Sequence, residues 1–251
     1  MNRISAFYLL IAIGLASCKK DKKDDPIIVP VPDQLEAHMV PKLDGQNYIV
    51  DQIITSSQGY RYYFSEIKIL GTDMANGSSV LSDSYLFSFQ QNGTGIKSVV
   101  GNKIDFSNLS LNIGVPNALN HADPSVPAST SALNISNAGD MHWGWNPGYI
   151  FVKLEGKVDT TDNGIDDFDH NFLFHLGMDP LFRTLSFNGI NWSASGVSKY
   201  RTNLNLFVKE IFDKSGDEVD LRVDYISHSL NNQMVLSNKI MDNLVNSIEK
   251  E

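Results

Sequence analysis

From about residue 34 onward, apolar and polar residues alternate in short runs interrupted by Gly, Asn, Asp and Ser. Tyr62 and Phe64 stand against Tyr63, Ile67 and Ile69, and the same beat recurs in Tyr85, Phe87 and Phe89, in Leu109, Leu111 and Ile113, and in Leu204, Leu206 and Val208. Val219, Leu221, Val223 and Tyr225 repeat it once more. A period of two puts successive side chains on opposite faces, so these runs predict half-buried antiparallel strands. Residues 149–154 (YIFVKL) are more continuously apolar, as expected of a central strand covered on both faces. Near the end, Leu236, Ile240, Leu244 and Ile248, with Met241 and Val245 beside them, form a stripe at i, i+4 spacing, which predicts an amphipathic helix docked on the core. The expected fold is an all-β antiparallel sandwich over residues 34–251 with a C-terminal amphipathic helix.

The segment before residue 34 obeys different rules. Arg3, an apolar run over residues 6–15 and the small residues Ala16 and Ser17 form an export signal, too short to cross a bilayer. Leu15-Ala16-Ser17-Cys18 looks like the lipobox of bacterial lipoproteins. Residues 1–17 are therefore expected to be a signal peptide and Cys18 the lipidated first residue of the mature chain. The protein would then sit in the cell envelope, anchored to the outer membrane on its periplasmic or surface face. Residues 18–33, with the charge run KKDKKDD and three prolines, read as a stiff charged tether.

Cys18 is the only cysteine, so once it is lipidated no disulfide, thiolate zinc site or iron–sulfur cluster can form. Any transition-metal site must use His, Met, Asp, Glu or a less usual donor. The formal charge of −9 and the lack of a basic stripe oppose binding to nucleic acid. Phosphate-cradling glycine loops, G-x-S-x-G, H-E-x-x-H and C-x-x-C are all missing, which weighs against an enzyme. Residues 159–170 (DTTDNGIDDFDH) fit a calcium loop in part, but Thr161 and His170 fall where Asp and Glu are wanted, so a solvated acidic hairpin loop is the expectation. A hydrolase built on the carboxylates of 159–169 would need a paired acid and base in a cleft.

Six histidines remain, at 38, 121, 142, 170, 175 and 228. His175 lies in the apolar run Phe172-Leu173-Phe174-His175-Leu176-Gly177, where an imidazole must find a partner for its ring nitrogens. His121 lies in a long loop over residues 116–138, a length that is often functional. Two neutral imidazoles in an apolar pocket suit a soft or borderline metal. Residues 141–149 (MHWGWNPGY) add an aromatic cluster; if extended, Met141, Trp143 and Trp145 share one face and His142 takes the other.

Four motifs occur in order: Gly114-Val115-Pro116; Leu119-Asn120-His121; Met141-x-Trp143-x-Trp145-x-x-Gly148-Tyr149-x-Phe151-x-x-Leu154-Glu155-Gly156; and Phe174-His175-Leu176-Gly177. Together they resemble the MbnP-like family, exported copper-binding proteins associated with methanobactin operons. The resemblance implies a Cu(I) site made of histidines and a kynurenine, the latter formed by a di-haem peroxidase-like partner that opens a tryptophan ring. Carried across by motif, His121 and His175 are the expected ligands, Trp143 or Trp145 the modified residue, and His38 a third candidate. His142 departs from the family, which usually has another aromatic there, and could supply a further ligand or face solvent. The function expected is copper acquisition, storage or handover without turnover. The alternative is a sandwich binding module for a glycan or a protein partner, with histidines serving structure.

Overall fold

The computed structural model describes residues 31–89, 94–102, 107–144, 147–161 and 163–251. The expected signal peptide, the expected lipidation site Cys18 and most of the expected tether therefore lie outside the described residues, as does Trp145. Among the described residues, fourteen strands follow one another. The first seven are β1 (Asp33–Leu43), β2 (Gln46–Asn47), β3 (Ile54–Thr55), β4 (Arg61–Asn76), β5 (Ser79–Phe89), β6 (Thr94–Val100) and β7 (Asn108–Ile113). The others are β8 (Ile150–Val158), β9 (His170–Gly177), β10 (Arg183–Asn188), β11 (Ser193–Gly196), β12 (Lys199–Phe207), β13 (Ile226–Ser227) and β14 (Ile248–Lys250). Among the described residues four α-helices interleave with them: α1 (Asn117–Asn120), α2 (Ile135–Ala138), α3 (Glu210–Asp213) and α4 (Met234–Asn246).

Two sheets share these strands. One runs β11-β12-β1-β2, with β14 added to β12 and β6 to β1; the other runs β10-β7-β4-β8-β9-β13, with β3 and β5 on β4. Their inner faces supply one buried core, as the alternation requires of a β-sandwich. Most pairings are antiparallel, but β1 lies parallel to β12 and β13 parallel to β9, so the sheets are mixed.

β8 is the central strand that its sequence predicts, between β4 and β9, with every residue from Tyr149 to Leu154 buried. Its register puts Val152, Leu154 and Gly156 opposite Leu176, Phe174 and Phe172 on the core side. Lys153 and His175 are opposite each other on the outer face. Lower in the core, Tyr62, Phe64, Phe172, Phe174 and Phe212 pack edge-to-face or stacked, at ring separations of 5.3 to 6.3 Å.

Three local expectations change. Ile67 and Ile69 join Tyr62 and Phe64 in the core, because a register shift between Phe64 and Glu66 inserts an extra residue into β4 and flips the phase of the alternation. Residues 219–225 form turns and irregular chain: Val219 and Leu221 are buried through backbone groups held by the Tyr60 hydroxyl, while Val223 is exposed. The C-terminal helix stops at Asn246, and Ile248 reaches the core from β14, paired with Leu206.

Candidate metal centre

The end of β9 carries His175, one of the expected site residues, then Gly177, with Asp179 just beyond the strand. Each position holds a different part of the site.

At His175, the ring Nε2 donates to Glu155 Oε1 at 2.7 Å. Burial would raise the Glu155 pKa, but hydrogen bonds from His175 and Lys153 outweigh it and keep the group a carboxylate. The partner that an imidazole in this apolar strand needed is thus a half-buried acid on the neighbouring strand. Glu155 belongs to a wider charge network on the outer face. Lys153 Nζ meets Glu66 at 2.5 Å, Asp140 at 2.6 Å and Glu155 at 3.1 Å, and Lys68 meets Glu66 at 2.6 Å and Asp140 at 3.0 Å. The strand register sets like charges opposite each other, Lys68 with Lys153 and Glu66 with Glu155, and the diagonal contacts offset the repulsion.

At Gly177, the absence of a side chain makes room for Trp143: a Cβ there would lie 2.6 Å from the indole ring and 2.5 Å from the Tyr149 carbonyl oxygen. Trp143 is held by its backbone N–H to the Gly148 carbonyl, and the His142–Tyr149 bridge closes the same hairpin. Gly148, with φ +94°, passes so close to the Asn120 carbonyl that a Cβ would come within 2.4 Å of it. His142 does take the side away from buried Met141, but its ring packs edge-on against Tyr149 at 4.6 Å, and its Nδ1 accepts the Gly144 N–H. Burial lowers its pKa, which keeps the ring neutral at pH 7.

At Asp179, the carboxylate holds the loop that carries His121. It accepts from His121 Nε2 at 3.1 Å, from Asn120 Nδ2 at 3.0 Å and from Asn117. Burial would raise the Asp179 pKa; these three donors lower it overall. Asn120 is itself buried, and its Oδ1 accepts the Tyr149 N–H at 2.9 Å, so one amide ties the His121 loop to the tryptophan hairpin and to the end of β9.

His121 and His175 therefore share an arrangement: each presses Nε2 on a carboxylate, and among the described residues no hydrogen bond engages Nδ1. This is how metal-ligating histidines are oriented in general, with one nitrogen braced by an acid and the other lone pair aimed outward. The two rings rest on different acids and make no contact with each other. Neutral imidazole nitrogens are of the donor type that Cu(I) prefers to hard oxygen.

With this geometry in place, comparison with known proteins decides the family. A model of the MbnP family matches residues 34–242. The chain belongs to the MbnP family. MbnP from Methylosinus trichosporium shares the fold, with a TM-score of 0.52 at 12% identity over 78% of this chain and 81% of that one. No curated protein matches this sequence.

Within this MbnP-family domain, His38 lies apart from the others. It stands on β1 in the other sheet, 3.3 Å from Glu36 and packed over Gly95, so the fold does not bring it to the β9 end. Asp159, Asp167 and Asp169 are the only three acids or imidazoles among the described residues whose ligand atoms lie within 4.8 Å of one another. Their oxygens are engaged by Arg61 and the hydroxyls and amides of Thr160 and Thr161, as in a self-bonded acidic loop. Glu155, Asp179 and Asn120 escaped the sequence reading as site residues. Glu155 and Asn120 stand inside the motifs that carry the family resemblance, and that was the one local signal available.

Proposed function

We propose that this MbnP-family protein binds copper as Cu(I) in the cell envelope, for acquisition, storage or handover, and does no turnover of its own. The observation that supports it is the pair of carboxylate-braced imidazoles, His121 on Asp179 and His175 on Glu155, on either side of the glycine that Trp143 covers. Cu(I) is the cargo, and the two Nδ1 lone pairs are the donors offered to it. Indole has no good lone pair for a metal, whereas kynurenine carries an aryl amine and a carbonyl. Oxidative opening of Trp143, or of Trp145, by a di-haem peroxidase-like partner would therefore convert a packing residue into a ligand. His142 would be a further donor only through Nδ1, on release of the Gly144 N–H that it accepts, because in the neutral ring Nε2 carries the proton. Lipidation of Cys18 would anchor the domain to the membrane through the tether.

The test is metal content and peptide mass over residues 141–149 in protein from its native source. About one copper per chain, lost in His121→Ala and in His175→Ala, is the expected result. Full copper in the His175→Ala protein would overturn the assignment.

A second reading, a binding module for a protein partner, draws on an apolar groove beside His121. Leu119, Val126, Pro127 and Leu133 line it above Tyr149, with Leu119 and Val126 exposed. It predicts no copper after dialysis and intact tryptophans.

A further inference from the structure

We infer that His228 is a ligand of the same site, paired with His175 as a two-imidazole clamp for a soft monovalent cation. The inference rests on the copper reading for the identity of the ion, and on the following geometry for the residue.

The His175 and His228 rings lie 5.0 Å apart at 70° to each other. Because His175 Nε2–H donates to Glu155, its Nδ1 carries the free lone pair, and the neighbouring imidazole across the strand edge belongs to His228. His228 is exposed, and none of the hydrogen bonds described engages its ring.

The backbone around His228 is held far more firmly than an exposed loop requires. β13 runs parallel to β9 with Ile226 beside Leu173 and Ser227 beside Phe174, a register that carries residue 228 to the level of His175. The Ser229 hydroxyl then donates to the His175 carbonyl and accepts the Gly177 N–H, each at 3.2 Å. Ser229 is buried and sits at φ +58°, a left-handed conformation that costs a serine free energy and persists where the surroundings demand it. Gln233 accepts the His228 N–H at 2.9 Å, and Ser227 bonds Ser237 of α4 at 2.7 Å. Strand, strap and helix thus fix the second imidazole against the first, which is the preorganisation a metal site needs.

Charge agrees with a monovalent guest. The network beside His175 contains three carboxylates, Glu66, Asp140 and Glu155, and two ammonium groups, Lys68 and Lys153, leaving a single negative charge next to two imidazoles. Two neutral nitrogens beside one net negative charge suit Cu(I) better than a divalent oxygen-seeking ion.

Two measurements test the pair. Competition of Cu(I) between the protein and a chelator of known affinity should show at least about a 100-fold loss for His228→Ala, the upper end of the loss seen when a mere bracing group is removed. The exposed position makes this variant fold normally, and circular dichroism checks that it does. Copper bound by the His228→Ala protein with unchanged affinity would overturn the inference and leave the copper reading intact. Titration with Ag(I), monitored by nitrogen-15 NMR of the imidazoles, is independent of copper supply and tryptophan oxidation. His175 and His228 should shift together at one equivalent. If they do while native protein carries no copper, the clamp stands and the copper reading fails; if the His228 ring does not respond, the clamp is wrong.

Discussion

Glu155 and Asp179 show what single residues contribute here: each fixes which nitrogen of an imidazole carries the proton, and so which lone pair faces outward. Replacing Glu155 by glutamine keeps the shape but weakens that choice, because an amide can also donate to the ring. Cu(I) affinity of Glu155→Gln is expected to fall about 10- to 100-fold with the fold retained, as measured by chelator competition. Lys153 keeps Glu66 and Asp140 as partners, which is why the sheet survives the change. Asn120 has a different burden. Asn120→Leu would leave the buried Tyr149 N–H unpaired and release one oxygen of the half-exposed Asp179, and should cost about 1–3 kcal/mol in denaturant unfolding for the N–H left unsatisfied.

At the scale of elements, the end of β9 depends on close approach. Gly177→Ala would push a methyl into the Tyr149 carbonyl and the Trp143 ring, so the tryptophan must move. The expected outcome is a lower melting temperature together with an altered Trp143 environment in fluorescence, whereas an unchanged spectrum would show that the indole does not rest there. Away from the site, the aromatic cluster holds β4, β9 and α3 together. Phe172→Ala should cost about 3–5 kcal/mol, read from the shift in denaturant midpoint, because five packed rings leave little room for collapse into the cavity. The β4 bulge explains why alternation mistook the phase of Ile67 and Ile69: one inserted residue reverses every later side chain, and no property of Ser65 or Glu66 announces it. Helix α4 was legible from its stripe, but its end was not, since Ile248 keeps the spacing while its backbone has already joined β12.

The molecule as a whole ties β1 to β12 by a charged cluster that makes its stability depend on acid. Hydrogen bonds from Arg201, and from Lys97, hold buried Glu36 down to about 2 against the cost of burial. A carboxylate depressed on folding adds stability above its unfolded value of about 4.5, and that contribution disappears as pH falls toward 2. Urea unfolding of the native chain should therefore weaken between about pH 4.5 and 2, and Glu36→Gln should flatten that part of the profile. Alternation, the i, i+4 stripe and four short motifs were enough to determine strands, a terminal helix and the family, because each is a local regularity carried by neighbouring residues. They could not determine that β1 pairs in parallel with β12, that Glu155 and Asp179 brace the imidazoles, that His38 lies in the other sheet, or that His228 stands beside His175. A two-residue period tells each side chain its face but says nothing about which distant strand will lie alongside. That choice belongs to the packing of the two sheets, and it alone sets which rings and carboxylates meet.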